Sequence, residues 1–195
     1  MIPRLRKQPE KKNHFSREWI DNYSWVKQKN CLEILRNPKK LNPEVKKYLE
    51  EENAYTKENM KDTEGLQKKL FKEIEGRIKL DDEGLPYKDK HYEYWTKTTE
   101  KGNYSIKLRK KIGSDKIEEI WNGDFEKEKL KTEYFGVGDL EVSWNDRLLA
   151  YSLDLRGSEY YTIHVRDIFT NEPVTEKIEE TSGSILFSLD DKYIF

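Results

Sequence analysis

Two segments of this chain repeat the same order of residue types, and this internal repeat is the strongest constraint on its fold. Residues 142–150 read apolar, Ser, apolar, Asn, Asp, basic and then three apolar residues, and residues 187–195 repeat that order with Asp in place of Asn. Asp146 matches Asp191, so the offset is 45 residues. A repeat of about 40–50 residues is typical of a four-stranded β-propeller blade. The polar residues 145–147 and 190–192 (Asn or Asp, then Asp, then a basic residue) predict a tight turn in each copy, and the apolar triplet that follows predicts an inner strand.

About two such blades fit between residue 77 and the end of the sequence, whereas a closed propeller needs roughly four to eight. The last residues, 192–195, match a strand that continues through residues 151–153 in the earlier copy. The expected fold class is therefore α+β, with a helical amino-terminal arm in residues 1–76. About two antiparallel blades of an incomplete β-propeller follow in residues 77–195. A β-sandwich whose hairpins share one turn type is the alternative.

Helical spacing begins in the first third of the chain. Residues 1–14 are polar and are expected to be an extended or frayed lead-in. Ser24 is the predicted cap of a first helix. This helix should end near Asn37, because Pro38 disfavours helical geometry in the residue before it.

Two further helices are predicted in the arm. One begins at Asn42, since Asn is a favourable cap and Pro43 suits the first helical position. Another is expected to end near Gly76. The apolar side of that last helix comprises Leu66, Leu70, Phe71 and Ile74.

After Gly76 the apolar residues follow a period of two, which is typical of strands. The alternating residues are Tyr104, Ile106 and Leu108, and later Tyr161, Ile163 and Val165. Residues 99–103 predict a hairpin loop, residues 122–124 predict a turn, and the apolar run 148–151 predicts a strand buried on both faces. One strand carries a basic cluster that is expected to be its solvated face. The cluster consists of Lys107, Arg109, Lys110 and Lys111.

Composition narrows the classes of function. Aromatic residues make up 12% of the chain, which favours a folded protein. The 37 basic and 38 acidic residues nearly cancel, which argues against a general nucleic-acid binder. The single cysteine, Cys31, is expected to be a small core residue. We find neither a signal-peptide pattern nor an apolar run of membrane-spanning length, so a cytoplasmic protein is expected.

The sequence offers no catalytic, cofactor-binding or metal-binding set of residues. Ser158 and Ser184 lie near glycines but lack the Gly-x-Ser-x-Gly pattern of a nucleophile elbow. The three histidines, His14, His91 and His164, lie far apart in the sequence and are expected to be ordinary surface or strand residues. The acidic run at residues 81–83 is expected to be a solvated turn rather than a cation site.

Several segments together resemble oligopeptidases of the B type (protease II), within the prolyl oligopeptidase family of serine peptidases. Residues 21–25 (DNYSW) and 45–55 (VKKYLEEENAY) resemble the amino-terminal arm of that family. Residues 73–78 (EIEGRI), followed by Asp81 and Asp82, resemble the passage into its propeller. Three later segments resemble the first blades of the family's propeller: residues 149–154 (LAYSLD), 157–163 (GSEYYTI) and 181–185 (TSGSI). The resemblance extends from about residue 14 to residue 195.

The resemblance implies a peptidase with two domains. A seven-bladed propeller would cover an α/β-hydrolase domain and admit only short peptides, and the amino-terminal arm would pack on the hydrolase domain. Cleavage after Lys or Arg is implied as well. The catalytic Ser, Asp and His would lie beyond this sequence, so the chain alone is expected to be inactive. Residues 144–146 and 189–191 depart from the Ser-Pro-Asp turn usual in the family, which leaves the turn geometry open.

Three hypotheses remain open at this point. The chain is a fragment of such a peptidase, a non-catalytic β-rich binding module that self-associates, or a nucleic-acid-binding β-protein with a basic arm. The first implies a missing α/β-hydrolase domain as a partner and short peptides as substrates. No cofactor is expected in any of the three.

Overall fold

The computed structural model describes residues 2–195, with helices in the first part and mainly antiparallel strands in the second. One compact unit ends at Ile78, and the other comprises Lys79–Phe195. The first unit contains β1 (Glu10–His14), β2 (Arg17–Asp21), α1 (Cys31–Arg36), α2 (Pro43–Asn59) and α3 (Glu64–Glu75). The second begins with β3 (Tyr87–Asp89), β4 (Tyr92–Lys97), β5 (Ile106–Lys111), β6 (Ile117–Asn122) and α4 (Gly123–Leu130). It continues with β7 (Gly136–Val142), β8 (Leu148–Asp154), β9 (Tyr161–Asp167) and β10 (Ile178–Thr181).

Helix α2 begins as the sequence predicts. The side chain of Asn42 accepts hydrogen bonds from the backbone N–H groups of Glu44 and Val45, at 2.8 and 3.4 Å. These bonds satisfy two of the backbone donors that a helix leaves free in its first turn. Helix α3 ends at Glu75, directly before Gly76, which is also as predicted.

Two predictions for the first unit are wrong. Residues 10–14 belong to a hairpin rather than a frayed lead-in, and its turn residues Phe15 and Ser16 both have positive φ. Such a turn normally requires Gly or Asn, so the sequence gives no sign of it. The helix predicted from Ser24 is reduced to one 3₁₀ turn, because the backbone is extended at Lys27. The first regular α-helix of the chain is α1.

The first unit has a small core. Val45 is the one large apolar side chain within residues 2–78 that is fully buried. Cys31, at the start of α1, is exposed, so its prediction as a core residue is wrong. Helix α3 leaves its whole apolar side exposed: Leu66, Leu70, Phe71 and Ile74.

The second unit contains two four-stranded antiparallel sheets, each a meander in chain order. Blade 1 has the order β3-β4-β5-β6, and blade 2 has the order β7-β8-β9-β10. Residues 185–195 form a further hairpin, here called the third hairpin, in which Phe187 pairs with Ile194. Helices in one part and antiparallel blades in the other confirm the predicted α+β fold with an incomplete propeller.

The two copies of the repeat form the same turn. The backbone N–H of Ser143 donates to the carbonyl of Leu148, and that of Ser188 donates to the carbonyl of Tyr193. Each serine hydroxyl also accepts the backbone N–H of the residue five positions later. Asp146 and Asp191 have matching φ values of 60° and 56°. The departure from the Ser-Pro-Asp pattern therefore leaves the two turns of this chain alike.

Apolar side chains bury the faces between successive blades. The first cluster includes Tyr92, Tyr94 and Trp121 of blade 1 together with Val142, Leu149 and Leu153 of blade 2. The second joins blade 2 to the third hairpin through Ala150, Ile163, Val165, Ile185 and Phe187. Strand β8 contributes to both clusters, which confirms that the run 148–151 is buried on both faces.

The turn predicted at residues 122–124 is instead the start of helix α4. The side chain of Asn122 caps the helix by accepting the N–H of Phe125, at 3.1 Å. Asn followed by Gly is typical of turns and of helix caps alike. The helix-forming residues 126–130 decide between the two.

Candidate functional site

The basic cluster on β5 is only partly a solvated face: Lys111 is exposed and Lys110 is half-buried beside Glu93, but the prediction is wrong for Arg109 and Lys107. Arg109 is 0% exposed, and its Nε donates to Glu118 Oε2 at 3.0 Å. Its NH1 donates to the carbonyl of Asp146 in blade 2 at 2.6 Å. Lys107 is half-buried and reaches the carbonyl of Leu140 at 3.4 Å. This face of β5 therefore packs against blade 2.

Blades 1 and 2 contact each other on two sides. On one side, Arg166 of β9 donates to the carbonyl of Ile120 in β6 at 3.0 Å and pairs with Glu126 of α4. On the other side, Lys90 Nζ donates directly to the carbonyls of Val142 and Ser143, at 3.0 and 3.2 Å. The latter contact joins the start of blade 1 to the first strand of blade 2, and the first strands of propeller blades face the central channel.

Strand β7 also meets the third hairpin directly on this side. Asp139 Oδ2 accepts the backbone N–H of Ile185 at 3.1 Å. We call the charged and aromatic groups of this region the inner edge. Its members are Tyr87, Asp89, Lys90, Lys107, Asp139 and Glu141.

The groups of the inner edge act on one another electrostatically. Burial raises the pKa of Glu141, Asp139 and Asp89 raise it further, and Lys90 and Lys107 oppose the rise. Burial lowers the pKa of Lys107, and the three carboxylates of the inner edge oppose that shift. The pKa of Tyr87 is raised by burial and by the charges of Asp89 and Glu141. Three carboxylates and two amines thus influence one another's ionisation at this edge.

The inner edge suits contact with a polar chain better than covalent chemistry. Its carboxylates accept hydrogen bonds from amides and amines, and its amines donate to carbonyls. It has no serine, cysteine or histidine among its members to serve as a nucleophile or its base. A polar ligand at the inner edge would meet both donors and acceptors.

The structure does not bring the sequence-predicted histidines and serines together. His14 lies at the end of β1, His91 pairs with Asp146 at 2.7 Å, and His164 stacks on Tyr151. The Ser158 hydroxyl donates to Asp154, and within residues 2–195 no hydrogen bond joins it to a histidine. The prediction that the catalytic residues lie outside this chain stays a prediction.

The acidic run at residues 81–83 is tied to its own surroundings. Asp82 pairs with Lys79 at 2.7 Å, and Glu83 accepts the indole N–H of Trp95. In the part of the chain that the structure describes, no three His, Cys, Asp or Glu side chains lie close enough to hold a metal ion.

Sequence reasoning missed the acidic side chains of β7. Asp139 and Glu141 alternate with Leu140 and Val142, so a period of two was present and could have identified the strand. It also missed Glu126, because the start of its helix, residues 122–124, was predicted to be a turn.

Comparison with known proteins places this fold in a family. The model of the prolyl oligopeptidase N-terminal β-propeller domain matches residues 3–195. Dipeptidyl aminopeptidase BI of Pseudoxanthomonas mexicana is 32% identical over 189 residues, which cover 90% of this chain and 25% of that protein. Protease 2 of Moraxella lacunata is 25% identical over 182 residues, with coverage of 90% and 25%. Oligopeptidase B from Leishmania major superimposes with a TM-score of 0.79 at 22% identity, covering 96% of this chain and 27% of that one.

The chain spans about a quarter of the length of the curated relatives it matches. Across residues 2–195, none of the helices has both the length and the apolar character that crossing a membrane requires.

Proposed function

This chain belongs to the family of prolyl oligopeptidase N-terminal β-propeller domains, as its sequence predicts, and we propose that it forms the arm and first blades of a peptidase's gating propeller. Residues 1–76 would be the arm and residues 77–195 the blades. The observation that carries this proposal is the convergence of successive blades on a charged inner edge. That edge would form part of the wall past which short peptides reach a separate α/β-hydrolase domain.

We further propose that the complete peptidase cleaves after Lys or Arg. The three carboxylates of the inner edge support this, because Asp89, Asp139 and Glu141 outnumber its two amines and a carboxylate attracts the cationic side chain of a peptide. Release of dipeptides is the second candidate activity. It is favoured by the relative of 32% identity, which is a dipeptidyl aminopeptidase.

The chain by itself is proposed to be inactive, and a serine peptidase assay tests this. We expect no hydrolysis of Arg or Lys amide substrates by the purified chain. A longer product of the same reading frame that carries a hydrolase domain should hydrolyse them and lose activity with a serine-directed inhibitor. Turnover by the chain alone, with the inhibitor attached to one of its own serines, would contradict the proposal. The products from a longer peptide distinguish the two activities. Cleavage after Lys or Arg gives fragments that end in those residues, whereas the second activity releases dipeptides.

Self-association of the chain is the alternative function. It is favoured by the third hairpin, where Leu189, Tyr193 and Phe195 are 78%, 64% and 76% exposed. Sedimentation at several concentrations tests it, because a discrete oligomer of the chain alone would favour an autonomous binding module. Nucleic-acid binding is disfavoured by the burial of Arg109 and Lys107. A cytoplasmic location stays a prediction.

A further inference from the structure

A cleft of about 260 Å³ opens between helix α4 and the outer strands of blade 2. It lies on the α4 side of the contact between the blades, and none of its lining residues belongs to the inner edge. Tyr151 of β8 and His164 of β9 line it, with their rings stacked at 5.1 Å and an interplanar angle of 11°. We call it the α4 cleft. The proposed function makes no use of it.

The buried ion pair in the α4 cleft is already complete. Arg166 donates through NH1 to Glu126 and through NH2 to the carbonyl of Ile120, the latter at 3.0 Å. The guanidinium also lies 5.2 Å from the centre of the Tyr151 ring. The two charges therefore neutralise each other, and neither is free for a ligand.

Two further polar side chains of the cleft are engaged elsewhere: Thr175 donates to the carbonyl of Glu176 at 2.9 Å, and Lys177 pairs with Glu179 at 2.8 Å. Within residues 2–195, the hydroxyl of Tyr151, the ring nitrogens of His164, the ammonium of Lys129 and the side-chain amide of Asn171 have no hydrogen-bond partner. A hydroxyl, a neutral imidazole and an amide each offer at least one N–H or O–H, and an ammonium offers three. Each of the four groups can therefore donate a hydrogen bond to a ligand in the cleft.

The protonation of the two stacked rings fits this role. Burial raises the pKa of Tyr151, so its hydroxyl keeps its proton. Burial lowers the pKa of His164, Lys177 lowers it further, and Glu126 opposes the shift, so the ring is neutral with one N–H to donate. Lys129 supplies the cleft's unpaired positive charge.

We propose that the α4 cleft binds a small organic anion that presents a carboxylate on a planar body. Lys129 and the neutral donors of the cleft suit a carboxylate, and the ring of His164, which lines the cleft, offers an aromatic surface to the planar part. The volume is below the roughly 300–1,000 Å³ typical of pockets for drug-sized ligands, so the ligand would carry a single ring or be the size of an amino acid.

Calorimetric titration of the full chain tests the proposal with probes of one shape. Benzoate should bind saturably, whereas benzamide and benzamidine, with the same ring but no negative charge, should bind at least about tenfold more weakly. Hippurate distinguishes two sources of the carboxylate. Tighter binding of hippurate than of benzoate indicates the carboxyl end of a peptide, and weaker binding indicates a free small carboxylate. Equal binding of benzamide or of inorganic phosphate would overturn the proposal.

Three variants connect binding to the α4 cleft. Tyr151→Phe keeps the ring and its packing but removes the hydroxyl, and should weaken benzoate about tenfold. Lys129→Gln changes an exposed residue and should weaken it about three- to tenfold. Lys101→Gln, an exposed lysine on a loop outside the cleft, should leave it unchanged. Unaltered affinity in both cleft variants, or an equal loss in the control, would refute the assignment.

Discussion

Replacement of Arg109 should loosen the contact between blades 1 and 2. The guanidinium is fully buried, pairs with Glu118 and donates to the carbonyl of Asp146. It also lies 4.2 Å from the centre of the Tyr92 ring. In Arg109→Ala the carbonyl and the carboxylate lose their donor, and the ring loses a packing partner.

The expected cost follows from these contacts. Breaking a buried ion pair typically costs about 3–5 kcal/mol. Glu118 is 22% exposed and regains some hydration, which lowers the cost. Arg109 NH2 has no partner within residues 2–195, and removing such a group recovers about 1 kcal/mol or more. We therefore expect Arg109→Ala to reduce the free energy of unfolding by about 3 kcal/mol.

Urea unfolding followed by tryptophan fluorescence measures this effect, because Trp121 is buried in the same contact between blades. Arg109→Met keeps most of the volume and should cost about half as much. Lys111→Ala, an exposed position on the same strand, should stay within about 0.5 kcal/mol of the wild type. A loss below about 1 kcal/mol in Arg109→Ala would show that the buried guanidinium does not hold the blades together.

Three further changes test other parts of the second unit. Gly183→Ala should cost about 1–3 kcal/mol in urea unfolding, because φ is +93° and a Cβ would lie 2.7 Å from the Tyr161 ring. Asn122→Ala should cost about 1 kcal/mol in the same assay by removing the cap of α4. The hydrogen bond from Arg147, together with those from the backbone N–H groups of Thr170 and Phe169, lowers the pKa of Asp167 to about 2, so the stabilisation by this carboxylate, full above about pH 4, is lost as the pH falls toward 2. The free energy of unfolding, measured as a function of pH, should therefore fall less between about pH 4 and pH 2 in Arg147→Gln than in the wild type.

The sequence by itself determined the local elements and the repeat. Asn42 and Pro43 predict the start of α2 because capping depends on neighbouring residues alone. The 45-residue offset between Asp146 and Asp191 predicts the blades, since one hydrogen-bonded turn recurs in each. The match of residues 3–195 of this chain to the propeller-domain family is consistent with the blades predicted from the repeat.

Tertiary structure alone decided which charged residues face water. Lys107 and Arg109 have the alternation of a solvated strand, yet blade 2 covers them, and a strand's own sequence does not reveal what packs on its polar side. The hairpin turn at Phe15 and Ser16 was hidden for a related reason, because its positive φ values contradict local preference. Likewise, residues distant in sequence line the α4 cleft only because α4 packs against blade 2.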